Sequence, residues 1–384
     1  MRNFEFHNPT KLVFGKDTIR QIGEEIRRRG HHYVLMIAGG GSIKRNGVYD
    51  AVVRSLNRAG IRWDECWGVQ PNPVLSKVEE MVSSAKKAGV DAVLGVGGGS
   101  VLDSAKAVAA GYYVEEDVWS LFEKKEPVTR ALPVYGVLTL SAAGSEMNGY
   151  AVITKADENK KWPIGGPALF PQVSIVDPSV QATLPWEQTV NGAIDTISHI
   201  QELYFPGRDA ETTLALDESL MRTVVRVTDR LREDPGDYAA RASLAWASTM
   251  ALNGAAGAGL GDGDWATHAM EHGLSGVHPE VAHGTGLGVI FPAWILYCQE
   301  ANPETFRRWA RNVWGKDSVE EGVAAFRAKL ADWGAPTSLK QLGVAESEID
   351  TIAETAYTSG MRGSLKQLSL DDFKRILRSA WDPT

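Results

Sequence analysis

The first half of the chain alternates short apolar runs with amphipathic stretches, and this alternation restricts the fold more than any other feature. Tyr33–Ala38 (YVLMIA) and Asp91–Val96 (DAVLGV) are apolar almost throughout, and each is followed by Gly-Gly-Gly-Ser. Val134–Leu138 and Val173–Val176 are further short runs, while Ser76–Ala88 has apolar residues at helical spacing. Strands without a polar face, separated by helices, predict a parallel sheet that helices cover on both sides.

The pattern changes near residue 185, where strand-like runs end and helix signals take over. Asp237–Leu252 is rich in alanine, and Ser318 and Ser369 each begin a capping-box pattern of the kind that opens a helix. We therefore predict an α/β domain over residues 1–184 and an all-helical domain over residues 185–384. Since no low-complexity linker separates them, the two domains are expected to pack around a shared cleft, where ligands usually bind.

Composition excludes several classes of function. The 40 Lys and Arg against 48 Asp and Glu give a formal net charge of −8, which disfavours binding to nucleic acid or to an anionic membrane. No apolar stretch approaches the ~20 residues of a membrane helix. Residues 1–6 alternate like a strand and lack the apolar core of a signal peptide, so we expect a cytoplasmic protein. Cys66 and Cys298 are too few for a disulfide framework and are interpreted as incidental thiols.

The glycine turn at Gly97–Ser100 follows a predicted strand and opens a predicted helix. Backbone amides at a helix N-terminus carry partial positive charge, and glycine lets a ligand approach them closely, so this turn suits a phosphate group. Taken alone, a tight turn that only serves packing is a nearly equal alternative. Its position after a buried strand favours the phosphate interpretation.

The earlier glycine turn, Gly39–Ser42, bears on the choice of coenzyme. A site selective for NAD usually offers a carboxylate to the adenosine ribose, whereas an NADP site must accept a phosphate there. Here the turn is followed by Lys44 and Arg45, and no acidic residue occurs before Asp50. If this turn faces the ribose, it favours NADP.

The chain has eight histidines, and several of them occur in patterns that favour a metal site. Asp195 and His199 are spaced four apart in a predicted helix, as are His268 and His272, and residues at this spacing share a helix face. His283 follows at the start of another apolar helical run. Imidazole and carboxylate ligands without a thiolate suit zinc or ferrous iron.

Each part of this pattern has an ordinary structural alternative. A lone Asp-x3-His pair is more often a salt-bridged surface pair, and His-x3-His alone is a weak signal. Asp264 is placed to cap the helix that carries His268, and His278 is interpreted as an exposed loop residue. The two pairs and the third histidine occur together, after an N-terminal half that resembles a dinucleotide-binding domain. This combination favours a single bound cation.

Together these motifs resemble the iron-containing (group III, metal-dependent) alcohol dehydrogenases, and within them the branch of NADPH-dependent butanol dehydrogenases and aldehyde reductases. The resemblance spans nearly the whole chain and implies a Rossmann-like N-terminal α/β domain followed by an all-α C-terminal domain, the dehydroquinate synthase-like two-domain architecture. The motifs that carry it are Gly39–Asp50, Pro71–Pro73, Gly97–Lys106, Thr139–Asn148, Asp195-x3-His199, Asp264–His272 and His283-Gly284.

The resemblance also implies roles for individual residues. It implies one divalent metal, Fe2+ or Zn2+, with His272 beside it as a proton-transferring group. Asp103 would lie near the nicotinamide, and Gly40 and Ser42 near the 2′-phosphate of NADP(H). The implied metal ligands are Asp195, His199, His268 and His283, and the further implied cofactor contacts are Asn72, Gly98, Gly99, Ser100, Thr139, Asn148 and Lys161.

The activity implied is the interconversion of small alcohols and aldehydes by hydride transfer, with the metal polarising the substrate oxygen, in a homodimeric enzyme. Two departures from the family make the substrate preference less certain: one extra residue between His268 and His283, and serine at position 141. One alternative is a dehydroquinate synthase-like or glycerol(-phosphate) dehydrogenase-type enzyme, which would need a cluster of basic residues in the cleft. The other is a non-catalytic protein that binds NADP and a metal. No basic cluster occurs near His268–His283.

Overall fold

A computed structural model describes residues 1–383, so only the last residue of the predicted helical domain lies outside the described residues. The strands are β1 (Lys11–Phe14), β2 (Tyr33–Ala38), β3 (Arg62–Cys66), β4 (Ala92–Gly97), β5 (Val134–Leu138), β6 (Tyr150–Lys155), β7 (Lys160–Gly165) and β8 (Val173–Val176). The helices of the first domain are α1 (Ile22–Arg28), α2 (Ser42–Arg45), α3 (Val48–Ala59), α4 (Leu75–Ala88), α5 (Gly99–Gly111) and α6 (Ser120–Lys124). The later helices are α7 (Trp186–Tyr204), α8 (Glu211–Glu233), α9 (Tyr238–Ala251), α10 (Ala266–Val277), α11 (His283–Cys298), α12 (Pro303–Trp314), α13 (Val319–Asp332), α14 (Ile349–Tyr357) and α15 (Leu370–Trp381).

Six strands form one parallel sheet in the order β1-β8-β5-β4-β2-β3. The predicted apolar strands are confirmed, β2, β5 and β8 with the predicted bounds and β4 shifted by one residue. The two edge strands, β1 and β3, were not predicted. An edge strand has one unpaired side and need not be apolar, and β3 (RWDEC) alternates exposed and half-buried residues before its buried last residue.

The two glycine turns lie at the point where the strand order reverses. Strand β2 pairs with β3 on one side and with β4 on the other, so Gly39–Ser42 and Gly97–Ser100 both follow strands that flank this reversal. Thr139, after β5, donates its backbone N–H to the carbonyl of Gly97 over 2.9 Å. In open α/β sheets, ligands bind in the crevice outside the strand ends at such a reversal.

An antiparallel hairpin, β6–β7, was also missed by the sequence analysis. Its strands contain several lysines and Pro163 and therefore lack the apolar pattern of the parallel strands. The second strand packs against α10 of the helical domain and brings the buried side chain of Lys161 to that domain. The hairpin is thus a direct contact between the two halves of the chain.

From Trp186 onward the described residues form helices and connecting loops, as predicted, around one large apolar core. The capping boxes at Ser318 and Ser369 are confirmed. The predicted division at residue 184 falls between a 3-10 turn (Pro178–Thr183) and α7. Cys66 and Cys298 are both buried and unpaired with each other.

The N-terminal segment differs from the prediction. Residues 1–6 form no strand; they extend along the glycine-rich loop between α9 and α10, where the N–H of Arg2 donates to the carbonyl of Gly259 over 2.9 Å. The alternation of Phe4, Glu5 and Phe6 does not reflect a buried face, since both phenylalanines are more than half exposed. Within residues 1–383, no helix combines the length and the apolar character that crossing a membrane requires.

We predict that Gly97→Ala lowers the free energy of unfolding by about 1–3 kcal/mol, because an added methyl group overpacks the junction of β4 and α5. A Cβ at this position would lie 2.8 Å from the Cβ of Val101. Gly99→Ala is the matched control in the same turn, since a Cβ there meets no atom within 4 Å. Denaturant unfolding followed by circular dichroism checks this, and equal destabilisation by both variants would contradict it.

Candidate functional site

Helix α7 places Asp195 and His199 on one face, as the spacing predicts. The helix is buried along most of its length, and both side chains are about 6% exposed. At Gly192 a Cβ would collide with the carbonyl oxygen of Ser141, so only glycine allows this close approach of α7 to the first domain. The start of α7 therefore lies directly against the loop that follows β5.

Helices α10 and α11 bring the remaining histidines to the same place. The ring centroid of His268 lies 4.6 Å from that of His199 and 5.4 Å from that of His283. Ligand atoms of Asp195, His199 and His268 all lie within 4.8 Å of one another, and His283 Nε2 lies 3.7 Å from Asp195 Oδ1. The structure thus brings together all four side chains that the sequence analysis named as metal ligands.

A buried oxygen atom lies beside the Nδ1 atom of each of the three imidazoles. His199 Nδ1 is 2.9 Å from the carbonyl oxygen of Asp195, and His268 Nδ1 is 3.0 Å from Glu202 Oε1. His283 Nδ1 bonds to Glu271 Oε2. Such partners fix the ring orientation and leave Nε2 for a metal, which is the arrangement around metal-bound histidines generally.

Two polar atoms in this cluster support a metal directly. His268 Nε2 is buried and has no hydrogen-bond partner within the described residues, and the buried Asp195 Oδ1 has no well-aligned hydrogen bond there, its nearest imidazole nitrogen being His199 Nδ1 at 3.1 Å. A buried polar atom without a partner is costly, and a cation in contact with both would remove that cost. The donor set, three imidazole nitrogens and one carboxylate, therefore fits a divalent metal such as Zn2+ or Fe2+.

The protonation of Asp195, His268 and His283 agrees with this fit, whereas His199 would have to lose a proton when a metal binds. Burial lowers the pKa of His268 to about 3, helped by His199, and burial also lowers the pKa values of His272 and His283 well below the ordinary value. Burial opposes ionisation of Asp195, but the neighbouring imidazoles prevail and lower its pKa to about 2. Burial also opposes protonation of His199, but the Asp195 carboxylate raises its pKa. Neutral imidazoles and an ionised carboxylate are the forms that bind metals.

His272 lies beside this cluster. It is one turn after His268 on α10, only 6% exposed, and its ring centroid is 5.6 Å from that of His283. Its Nδ1 atom is buried and has no hydrogen-bond partner in residues 1–383. An imidazole with a free nitrogen next to a metal-binding cluster can accept or donate a proton there.

Two carboxylates of the site were not predicted, and the predicted role of Asp264 is confirmed only in part. Glu202 and Glu271 are fully buried behind the histidines, yet in sequence they resemble ordinary charged residues of amphipathic helices. Trp265, not Asp264, is the N-cap residue of α10, but Asp264 Oδ1 accepts a hydrogen bond from the N–H of Ala266, the first residue of the helix, over 3.3 Å. The spacing of Glu202 from His199, three residues, was the only available signal.

Lys161 and Asn72 link the cofactor domain to the helical domain. Lys161 Nζ donates to Asn72 Oδ1 over 2.9 Å, to Ser275 Oγ over 3.0 Å and to Glu271 Oε2 over 3.2 Å. The amide of Asn72 donates to the carbonyls of Pro279 and Val281, in the loop that holds the extra residue. Both predicted cofactor residues therefore lie at the domain boundary next to the metal cluster.

Asp103 and Asn148 lie together in a buried polar network below the glycine turn. Asp103 accepts hydrogen bonds from Ser145 Oγ and from the backbone N–H of Val152. Lys106 Nζ donates to Asn148 Oδ1 and to Ser145 Oγ, and burial lowers the pKa of this lysine to about 8. These contacts tie α5 to the loop after β5, so the two residues have structural partners in addition to their predicted cofactor role.

The turn residues keep their backbone accessible. Gly98 is the N-cap of α5 and, having no side chain, leaves the first amides of the helix without a cap; Gly99 and Ser100 begin the helix. At the other turn, Gly40 is exposed with no atom within 4 Å of a Cβ position, and Gly41 has a φ of +99°. Ser42 begins α2 directly afterwards. Both turns can present amides and a hydroxyl to a phosphate.

His278 differs from its prediction as an exposed loop residue. Its side chain is 16% exposed, at the C-terminal end of α10, with Nδ1 3.2 Å from Glu280 Oε1 and Nε2 3.4 Å from Glu348 Oε1. It is not part of the metal cluster. Burial by a neighbouring helix could not be read from the local sequence.

Comparison with known proteins identifies the family. The model described as iron-containing alcohol dehydrogenase matches residues 9–178, and that of the C-terminal part of the Fe-containing alcohol dehydrogenase family matches residues 189–381. Probable NADH-dependent butanol dehydrogenase 1 of Bacillus subtilis is 39% identical and covers 99% of this chain and 100% of the relative. The NADPH-dependent aldehyde reductase YqhD of Escherichia coli is 33% identical with the same coverage.

The solved structures agree. The crystal structure of NADH-dependent butanol dehydrogenase A from Thermotoga maritima is 49% identical, superposes with a TM-score of 0.97, and covers 100% of this chain and 99% of that one. Family models match both halves of the chain, and relatives above 30% identity align over almost its full length. The chain therefore belongs to the iron-containing alcohol dehydrogenase family, in its branch of butanol dehydrogenases and aldehyde reductases.

Proposed function

We propose that this alcohol dehydrogenase interconverts small alcohols and aldehydes with NADP(H) and one divalent metal, Fe2+ or Zn2+. The proposal rests on one observation. Three oriented imidazoles and the Asp195 carboxylate converge next to the crevice of a parallel sheet of the kind that binds dinucleotides. When bound, the metal supplies a Lewis acid for the substrate oxygen and the nicotinamide supplies or accepts hydride.

The proposed metal ligands are Asp195, His199, His268 and His283. With neutral imidazoles, this set carries a single negative charge, so a divalent ion keeps a net positive charge that favours an electron-rich substrate oxygen. Both iron and zinc accept such ligands, and availability in the cell often decides between them. Asp195, His199 and His268 are buried, which restricts access by water on that side of the cluster and strengthens electrostatic interactions there, while the His283 side chain is 26% exposed.

The proposed coenzyme site uses the two glycine turns, with Gly98, Gly99 and Ser100 at the pyrophosphate and Asp103 toward the nicotinamide. The further proposed coenzyme contacts are Asn72, Thr139, Asn148 and Lys161. The relatives differ in coenzyme, since the butanol dehydrogenases named above are described as NADH-dependent and YqhD as NADPH-dependent. Family membership therefore does not decide between NAD(H) and NADP(H), and the local geometry of the coenzyme site must be considered.

The turn at Gly40 and Ser42 favours NADP(H). It offers a hydroxyl, an unobstructed backbone and the nearby Lys44, whose Nζ lies 4.1 Å from the centroid of the Trp67 ring. Glu65, on the neighbouring strand β3, accepts hydrogen bonds from two indole N–H groups and a tyrosine hydroxyl. This carboxylate is already engaged and is a poor partner for the ribose hydroxyls of NAD.

We assign proton exchange with the substrate to His272. The neutral ring is buried next to His283 with Nδ1 free, so it can relay a proton between the reacting oxygen and solvent. The alternative is that the ring only contacts the cofactor.

We also propose a homodimer and cytoplasmic residence. Strand β1 is an edge of the sheet, and the exposed Trp246 side chain of α9 lies against it, while Phe4 and Phe6 lie along the loop between α9 and α10. Phe4, Phe6 and Trp246 are 53%, 56% and 45% exposed, and Phe14 of β1 contacts Trp246 edge to face. An open sheet edge beside exposed aromatic residues suits a second copy of the chain.

We predict that His268→Ala abolishes stoichiometric metal binding and aldehyde reduction, because it removes a ligand whose orientation Glu202 fixes. His278→Ala is the matched control, as His278 lies close in sequence but outside the cluster. Elemental analysis of the purified variants and NADPH oxidation with an aldehyde check this. Normal metal content in His268→Ala would remove it from the site.

We predict that kcat/KM favours NADPH over NADH by at least about tenfold, which corresponds to ~1.4 kcal/mol. Ser42→Asp should reduce this preference because a carboxylate repels the 2′-phosphate, while Ser42→Ala, which adds no charge, should have a smaller effect. Steady-state kinetics with both coenzymes measure it. Equal efficiency with NADH would show that this turn does not read the ribose phosphate.

We predict that His272→Ala retains the metal but lowers kcat by about 100-fold or more, the usual contribution of a general acid–base group. His272→Gln keeps hydrogen-bonding capacity without relaying a proton and should be equally slow. Metal loss would make His272 a ligand. A raised KM for the coenzyme with kcat unchanged would support the contact-only alternative.

A further inference from the structure

Glu202 shares the ligand-bearing face of α7. It follows Asp195 by seven residues and His199 by three, which places all three side chains on one side of the helix. Its side chain is fully buried. Neither the sequence motifs nor the proposed ligand set assigns it a role.

The Glu202 carboxylate holds the start of α10 at several points. Oε1 accepts from the backbone N–H of His268 over 3.1 Å and lies 3.0 Å from its Nδ1, while Oε2 accepts from the backbone N–H of Trp265 over 2.7 Å. The Glu202 carbonyl also accepts from the N–H of Asp264 over 2.9 Å. The first amides of a helix need acceptors, and here a carboxylate on another helix supplies what the N-cap residue does not.

Trp265 is held in an unusual conformation by this contact. Its φ of +65° lies in the left-handed region, which costs a non-glycine residue about 1 kcal/mol or more. Its indole N–H donates to the carbonyl of Asp262. The half-buried ring lies with its centroid 5.3 Å from that of His268 and 6.1 Å from that of His199. The indole therefore lies directly beside two of the four proposed metal ligands.

We propose that Glu202 is a positioning residue that sets two features at once: the ring orientation of His268, and the placement of Trp265 as a wall of the substrate site. The inference rests on the proposed function, since it assumes that the four side chains hold a metal. Its consequence is that metal affinity and discrimination between aldehydes by size depend on one buried carboxylate.

Glu271 provides a matched comparison within the same site. It is equally buried and holds His283 Nδ1, but its other partner is Lys161 and it caps no helix. Replacing it disturbs one metal ligand without releasing Trp265. Comparing variants of the two carboxylates therefore separates a change in metal affinity from a change in the position of Trp265.

The test uses the full chain, stripped of metal and titrated with Co2+ against a chelator, with the visible spectrum of Co2+ as a signature of ligand geometry. Glu202→Gln and Glu271→Gln should each weaken Co2+ binding by about 10–100-fold and alter the spectrum. Only Glu202→Gln should also raise kcat/KM for benzaldehyde relative to butanal. Unchanged Co2+ affinity in Glu202→Gln, or equal changes of the aldehyde ratio in both variants, would overturn the inference.

Trp265→Gly keeps the test informative if Glu202→Gln fails to fold, because glycine adopts the left-handed conformation without strain. It should change the aldehyde ratio while Co2+ affinity stays within about threefold of the wild type. An unchanged ratio would refute the wall assignment. Absence of Co2+ binding to the unmodified chain would instead refute the proposed function, so the two failures are distinguishable.

Discussion

The hydrogen bonds that orient three clustered imidazoles are the constraint on which the geometry of the proposed metal site depends. His199, His268 and His283 come from three different helices, and each has Nδ1 fixed by an oxygen so that Nε2 remains free. Burying these rings is favourable only if their nitrogens find partners. The proposed cation would complete the arrangement at Nε2 of His268, which has no hydrogen-bond partner in residues 1–383, and at Oδ1 of Asp195.

Close contacts between backbones bring these helices together. At Gly284, next to His283, a Cβ would collide with the carbonyl oxygen of Asn191 on α7, as one at Gly192 would with Ser141. These glycines let α11 and the first domain both approach the backbone of α7 closely. Lys161 and Asn72 then connect the hairpin and the first domain to the ligand-bearing helices. The proposed coenzyme crevice and the proposed metal site are thereby fixed relative to each other.

The sequence predicts those parts of this arrangement that leave a local pattern. Strand β2 and the turn at Gly97 were predictable because continuous apolar runs and glycine turns are local. The shared helix faces of Asp195 with His199 and of His268 with His272 were predictable from i,i+4 spacing, whereas the proposed choice of ligands came from the family resemblance. Strand β3 and the β6–β7 hairpin were missed because edge strands and hairpins of mixed polarity lack such a pattern. Glu202 was missed for a different reason: its partners lie more than 60 residues away in sequence, and only the packed structure shows that it caps α10.

The most direct test of the central claim, that four side chains of the helical domain hold one catalytic cation, is a crystal structure of the purified protein with anomalous data at the iron and zinc edges. The account predicts one anomalous peak per chain, within about 2.3 Å of Nε2 of His199, His268 and His283 and of a carboxylate oxygen of Asp195. If crystals of active enzyme showed no anomalous peak at this cluster, or a metal coordinated by other residues, the claim would be contradicted.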